Sequence, residues 1–140
     1  MICLKCRYTK TKVFNSRYSK MHPQTWRRRQ CLECDYIFTT YEVPSYDQLL
    51  IKQTTDIIPF HYTTLLLSIA RCFEHLPQKR AEHSEALTHT IIVKLIQHND
   101  TYLTKERIAQ TCYASLKQFD HLASVQYAAQ HADILPNTLR

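Results

Sequence analysis

Cys3-Leu4-Lys5-Cys6 and Cys31-Leu32-Glu33-Cys34, separated by 24 residues, are the stretches whose reading decides how this chain folds. A Cys-x-x-Cys turn sets two sulfurs on one tight knuckle, and two knuckles complete a tetrahedron around a soft cation. A disulfide arrangement, an iron–sulfur site or a redox pair formed by Cys3 and Cys6 are the alternatives. The paired spacing favours a single Zn²⁺ held by Cys3, Cys6, Cys31 and Cys34. Four thiolates leave no open position for water, so the ion is structural and argues against metal catalysis. The spacer exceeds the roughly 15–20 residues usual in such sites and leaves room for a hairpin.

Outward from the cysteines, the residues are those of strands. Segments 11–16 and 36–43 are rich in β-branched and aromatic side chains, and 25–31 forms a third candidate leading into the second knuckle. Residues 18–24, with Pro23, read as the loop between the first two. Pro44-Ser45 marks a boundary. A segment of about 45 residues buries too little apolar surface to fold unaided, which is a further reason to expect the metal.

Beyond the boundary the pattern changes. Two short apolar segments, 49–52 and 57–60, flank the polar turn Gln53-Thr54-Thr55-Asp56 and predict two strands. Helical periodicity follows. Leu65, Ile69, Cys72, Phe73 and Leu76 mark one apolar face, ended by Pro77. Ala86, Leu87, Thr90, Ile91 and Leu95 mark a second, ending near Asn99-Asp100. Thr104 caps a third helix bearing Ile108, Cys112, Leu116 and Phe119, and Asp120 caps a fourth through Leu122, Val125 and Ala128. The expected class is α+β: a small β zinc ribbon over 1–45, a mainly α-helical domain over 46–135, and a tail, 136–140.

Charge divides the chain at the same place. Residues 1–43 carry nine Lys/Arg against Glu33, Asp35 and Glu42, a net of +6, while residues 44–140 carry nine of each sign. Four thiolates with one Zn²⁺ contribute about −2, leaving roughly +4 around the site. A basic module joined to a neutral one predicts a polyanion-binding head on a body with another task. Arg27, Arg28 and Arg29 sit consecutively on the middle strand, so Arg27 and Arg29 project one way and Arg28 the other. Arg17 and Lys12 extend this surface. Arginine binds phosphates or pairs bidentately with guanine. Arg27 and Arg29 are expected to carry most of the binding; Trp26 either packs on the ribbon or touches DNA.

Other classes are less favoured. The chain contains no glycine, which excludes glycine-dependent phosphate loops and obliges Asn, Asp, Pro or strained residues to close every turn. Cys72 and Cys112 stand alone in apolar patterns, as small core residues do. The eight histidines show no ligand pairing, and no nucleophile–base pattern stands out, so no enzyme is expected. The apolar run at residues 65–70 is too short to span a bilayer, and no signal-peptide pattern opens the sequence; a cytoplasmic protein without membrane contact is expected.

The run Cys3-x-x-Cys6, Thr11-Lys12-Val13, Ser16-Arg17, Arg27-Arg28-Arg29-Gln30-Cys31-Leu32-x-Cys34, Phe38-Thr39-Thr40-Tyr41-Glu42 resembles the zinc ribbon of the NrdR family, bacterial repressors of ribonucleotide reductase genes. The second half is similar to that family's ATP-cone through Ile51-Lys52, Pro59-Phe60, Leu65 and the later helices. The resemblance implies a ribbon docked on double-stranded operator DNA and a homo-oligomer whose cone packing responds to ATP or dATP. It also implies nucleotide-binding cations at a strand-terminal Lys, before Pro-Phe, and at the start of the first helix. Lys52 matches the first; Ile57 and Thr64 replace the other two. Each charge-assisted bond contributes roughly 1.5–3 kcal/mol, so nucleotide affinity is expected to fall by about two to four decades unless Arg71, Lys79 or Arg80 compensates. The competing reading is a zinc-ribbon module for an acidic protein partner or RNA.

Overall fold

The structure, a computed structural model, describes residues 1–20, 23–98 and 100–135. His22, Asn99 and the expected tail at 136–140 lie outside them. The chain divides into two compact units, Met1–Ser45 and Tyr46–Arg140.

The first unit is a three-stranded antiparallel sheet in the order β1 (Thr11–Tyr18), β2 (Thr25–Cys31), β3 (Ile37–Glu42). Directly opposed residues of antiparallel strands share a face, so the register sorts every side chain. Arg17, Trp26 and Tyr41 lie in one row across the sheet, and Asn15, Arg28 and Thr39 in the next. Lys12, Gln30 and Ile37 form the third row of that face. The opposite face carries Ser16, Arg27 and Thr40, then Val13, Arg29 and Phe38. Phe14 falls out of register in a bulge between Val13 and Asn15, which keeps Lys12 on the same face as Asn15 and Arg17.

The second unit has its own sheet, ordered β5 (Ile57–Pro59), β4 (Leu50–Lys52), β6 (Leu103–Thr104), with four helices: α1 (Tyr62–Arg71), α2 (Arg80–Gln97), α3 (Lys105–Phe119) and α4 (His121–Gln130). The hairpin of β4 and β5 matches the expected pair of strands. β6 was not expected; it pairs in parallel with β4, setting Ile51 beside Leu103 and Lys52 beside Thr104. The core is the apolar side of this unit, centred on Phe73, Ile69, Ile91, Ile92, Leu95 and Leu116, all fully buried.

Both expected caps are present: Thr104 Oγ1 accepts from the Arg107 N–H at 3.1 Å and Asp120 Oδ1 from the Ala123 N–H at 2.9 Å. Four expectations need correction. α1 stops at Arg71, well before Pro77, and Cys72 and Phe73 enter the core from a series of tight turns. On α2, Thr90 is exposed while Ser84, Thr88 and Ile92 are buried; the buried hydroxyls satisfy themselves on carbonyls one turn back, Ser84 on Arg80 and Thr88 on Ser84 at 2.7 Å. On α4, Leu122 and Val125 are exposed and the buried set is Ala123, Ser124, Tyr127 and Ala128. Small residues bring helix axes close, so the contact face of α4 is its small-residue side rather than its most apolar one. Phe119 at the end of α3 is likewise 51% exposed, although its ring meets those of Phe73 and His83 in T-shaped contacts.

Candidate metal centre and nucleic-acid interface

Two knuckles of matching geometry frame the cysteines. In the first, the Cys3 N–H donates to Tyr8 O at 2.9 Å; in the second, Cys31 N–H donates to Tyr36 O at 3.0 Å. Lys5 N–H points at Cys3 Sγ and Glu33 N–H at Cys31 Sγ, each at 3.4 Å. The residue after each pair, Arg7 at φ 63° and Asp35 at φ 56°, takes the left-handed conformation that reverses the chain. All four sulfurs lie within 4.8 Å of one another, with Cys3 and Cys34 at 3.7 Å and Cys6 and Cys31 at 3.5 Å. A tetrahedron with Zn–S bonds of about 2.3 Å has edges of about 3.8 Å, so the set fits one zinc ion with little adjustment. The backbone N–H of Cys6, joined by that of Lys5 and opposed by burial, holds the Cys3 thiol down at about 6. Against a backbone bond from Tyr8, burial and the neighbouring thiols instead push Cys6 up to about 12, so the first thiolate of the cluster forms at Cys3. Cys72 and Cys112 differ: burial pushes both up to about 12, leaving them protonated core residues.

The sheet divides the five basic residues singled out from the sequence. Arg28, Arg17 and Lys12 stand exposed on one face with Trp26 half-buried among them and Tyr41 60% exposed. No strand residue on that face is acidic. Arg27 and Arg29 lie on the other face and are committed within the sheet. Arg27 pairs with Glu42 at 2.6 Å and reaches Ser16 Oγ at 3.3 Å; Arg29 Nε donates to Thr40 Oγ1 at 3.0 Å. The alternation of the arginines was readable in advance, but the Glu42 partner depends on which strand lies beside β2. Tyr41 and Asn15 were not singled out; Tyr41 is found only through its register with Trp26.

Comparison with known proteins bears on the same residues. The family model described as "Transcriptional repressor NrdR-like, N-terminal domain" matches residues 1–42. A transcriptional repressor NrdR of Microcystis aeruginosa is 32% identical over 136 residues, covering 95% of this chain and 78% of that protein. This chain belongs to the NrdR family. A transcriptional repressor NrdR of Phenylobacterium zucineum is 31% identical over 95% of the chain and 86% of its own length. The counterpart from a Psychrobacter species is 30% identical, with 95% and 87% covered. These NrdR relatives carry the name of a regulator, a non-enzymatic role.

The second unit of this NrdR-family chain is a poor match to a nucleoside triphosphate at the expected positions. Lys52 and Ile57 are register partners at the end of the β-hairpin, and Ile57 supplies no charge. Thr64 instead lines a cavity of about 440 Å³ walled by Ile51, Phe60, Leu65, Ile108, Tyr127 and Ile134, where Lys105 is the single Lys or Arg among the described lining residues. The cavity's polar side is a Ser68–His131 hydrogen bond at 3.3 Å, and burial keeps His131 below its usual range. Arg80 donates its Nε–H to Ala70 O at 2.8 Å. The residues at this cavity do not fit a triphosphate. No helix among the described residues is long and apolar enough to cross a membrane.

Proposed function

We propose that this protein is a zinc-dependent transcriptional repressor of ribonucleotide reductase genes, acting on double-stranded DNA in the cytoplasm or nucleoid. The observation that carries the DNA reading is the exposed face of the ribbon: Lys12, Arg17 and Arg28, interleaved with Trp26 and Tyr41 and free of acidic strand residues. A β-ribbon enters the major groove, where Arg reads guanine or grips phosphate. Arg27 and Arg29 support that face from behind, since their guanidinium groups tie β2 to its neighbours. Zinc acts through folding: it joins the ends of β1 and β2 and so sets the strand register that lines up the cations.

The helical unit serves self-association in this reading. Phe119, Leu122 and Val125 are exposed apolar residues on its surface. With two of three expected phosphate-binding cations absent, its assembly responds weakly to ATP or dATP, because a ligand shifts an equilibrium only by its differential affinity. The test is protection of DNA upstream of ribonucleotide reductase genes by the zinc-loaded protein. Footprints there, absent on unrelated DNA, are expected. Equal affinity for RNA or an acidic polypeptide, with no footprint, would favour an interaction module instead.

A further inference from the structure

The cationic face of the ribbon carries two side-chain amides, Asn15 and Gln30, and they are used differently. Gln30 Nε2 donates to Asp35 Oδ1 at 2.9 Å, which ties it to the second knuckle. Asn15 is exposed, and its amide makes no hydrogen bond among the described residues.

The bulge decides where Asn15 points. Between Val13 and Asn15 the register advances two residues on β1 for one on β2, from Arg29 to Arg28. In an unbulged strand Phe14 would oppose Arg28, and Asn15 would share the face of Val13, Arg29 and Phe38. The extra residue turns Asn15 over, directly beside Arg28 and between the rows of Lys12 and Arg17. A bulge disrupts the ladder to re-aim a side chain, and the one aimed here is a neutral amide among three cations.

The spacing suits the major groove. The rows of Lys12 and Arg17 are set by Gln30 and Trp26 on β2, about 13 Å apart along the strand. The groove is about 12 Å wide, so cations in the outer rows meet the backbones on its two sides while the middle row faces base edges. Phosphate contacts fix position and carry no sequence information. A carboxamide does carry it: its NH2 donates to adenine N7 while its carbonyl accepts from adenine N6, a pairing that no other single base offers in that groove. Thr39, on β3 in the same row, bonds to either kind of edge and does not discriminate.

We propose that Asn15 is a specificity-determining residue of the ribbon, reading one adenine in the major groove while the cations around it grip the backbone. This deepens the DNA reading above and rests on it.

The experiment selects preferred duplexes from a randomised double-stranded DNA library, using full-length wild type and Asn15→Ala, each verified to hold one zinc. Both should enrich a motif. At one position of it, or of each repeat within it, Asn15→Ala should lose about tenfold in preference for A·T over G·C. Replacing that adenine by 7-deazaadenine removes the N7 acceptor and keeps the base pair. It should weaken wild-type binding severalfold and leave Asn15→Ala unaffected. Because Asn15 is neutral, the two proteins should share one salt slope. A motif identical in both, or equal sensitivity of both to 7-deazaadenine, would overturn the Asn15 assignment and leave the DNA reading standing. A shallower slope in Asn15→Ala would overturn it too, since that reports displaced cations rather than a lost base contact. Failure of the wild type to enrich any duplex, with no salt-dependent binding, would remove the DNA reading itself and this inference with it.

Discussion

Arg7 and Asp35 occupy equivalent places, each immediately after a Cys-x-x-Cys pair and each at positive φ. In most chains glycine would take this position, but this one has none. Asp35 tolerates the left-handed region and its carboxylate accepts from Gln30 at 2.9 Å; Arg7 has no such local bond among the described residues. The left-handed conformation costs a β-carbon-bearing residue roughly 1–2 kcal/mol, partly offset by glycine's greater freedom in the unfolded chain. Arg7→Gly should therefore stabilise the zinc-loaded ribbon by about 0.5–1 kcal/mol, read as a raised thermal midpoint. The lack of glycine foretold a strained turn, but not its address. That address follows from the two-fold likeness of the knuckles, which appears only when both are folded.

At the scale of elements, the helix caps were legible because Thr104 and Asp120 sit directly before helical periodicity. The two-residue strand β6 was not, since no period exists in two residues. The face of α4 was misjudged because small residues, invisible to a search for large apolar ones, make its contact. Asp120 has a second partner, His75 Nε2 at 3.1 Å, from the turns that follow α1. The Ala123 N–H first, and His75 with it, lower the Asp120 carboxyl below its usual range. Asp120→Ala should cost about 1–2 kcal/mol in denaturant unfolding at neutral pH. A carboxyl lowered in the folded state stabilises above its unfolded pKa and loses that contribution as pH falls through the folded value. The gap between wild type and variant should thus be full at neutral pH and close in acid.

For the whole molecule, zinc governs whether the ribbon exists at all. One ion per chain is expected from metal analysis. Chelation should unfold the ribbon and leave the helical signal of the second unit, and Cys31→Ser should do the same. Thiol alkylation separates the six cysteines: none should react rapidly in the zinc-loaded protein, four after chelation, and all six only after denaturation, because Cys72 and Cys112 are buried and protonated. Two reactive thiols in the native zinc protein would contradict that division. The metal ligands were legible as a spacing, and the basic head as a charge count. What needed the folded sheet was the choice between its faces.

That choice is the central claim, and titration of fluorescent duplex DNA against salt tests it most directly. The paired variants are Arg17→Ala/Arg28→Ala and Arg27→Ala/Arg29→Ala, each verified to hold one zinc. Every phosphate that a variant no longer neutralises makes the log–log salt slope shallower by about 0.9. The first pair should lose most of its affinity, and its slope should fall by the share of about two phosphates. The second should keep the wild-type slope with at most a modest loss of stability. A full slope in the first pair, together with a collapsed slope in a folded, zinc-loaded second pair, would place DNA on the opposite face and contradict the account.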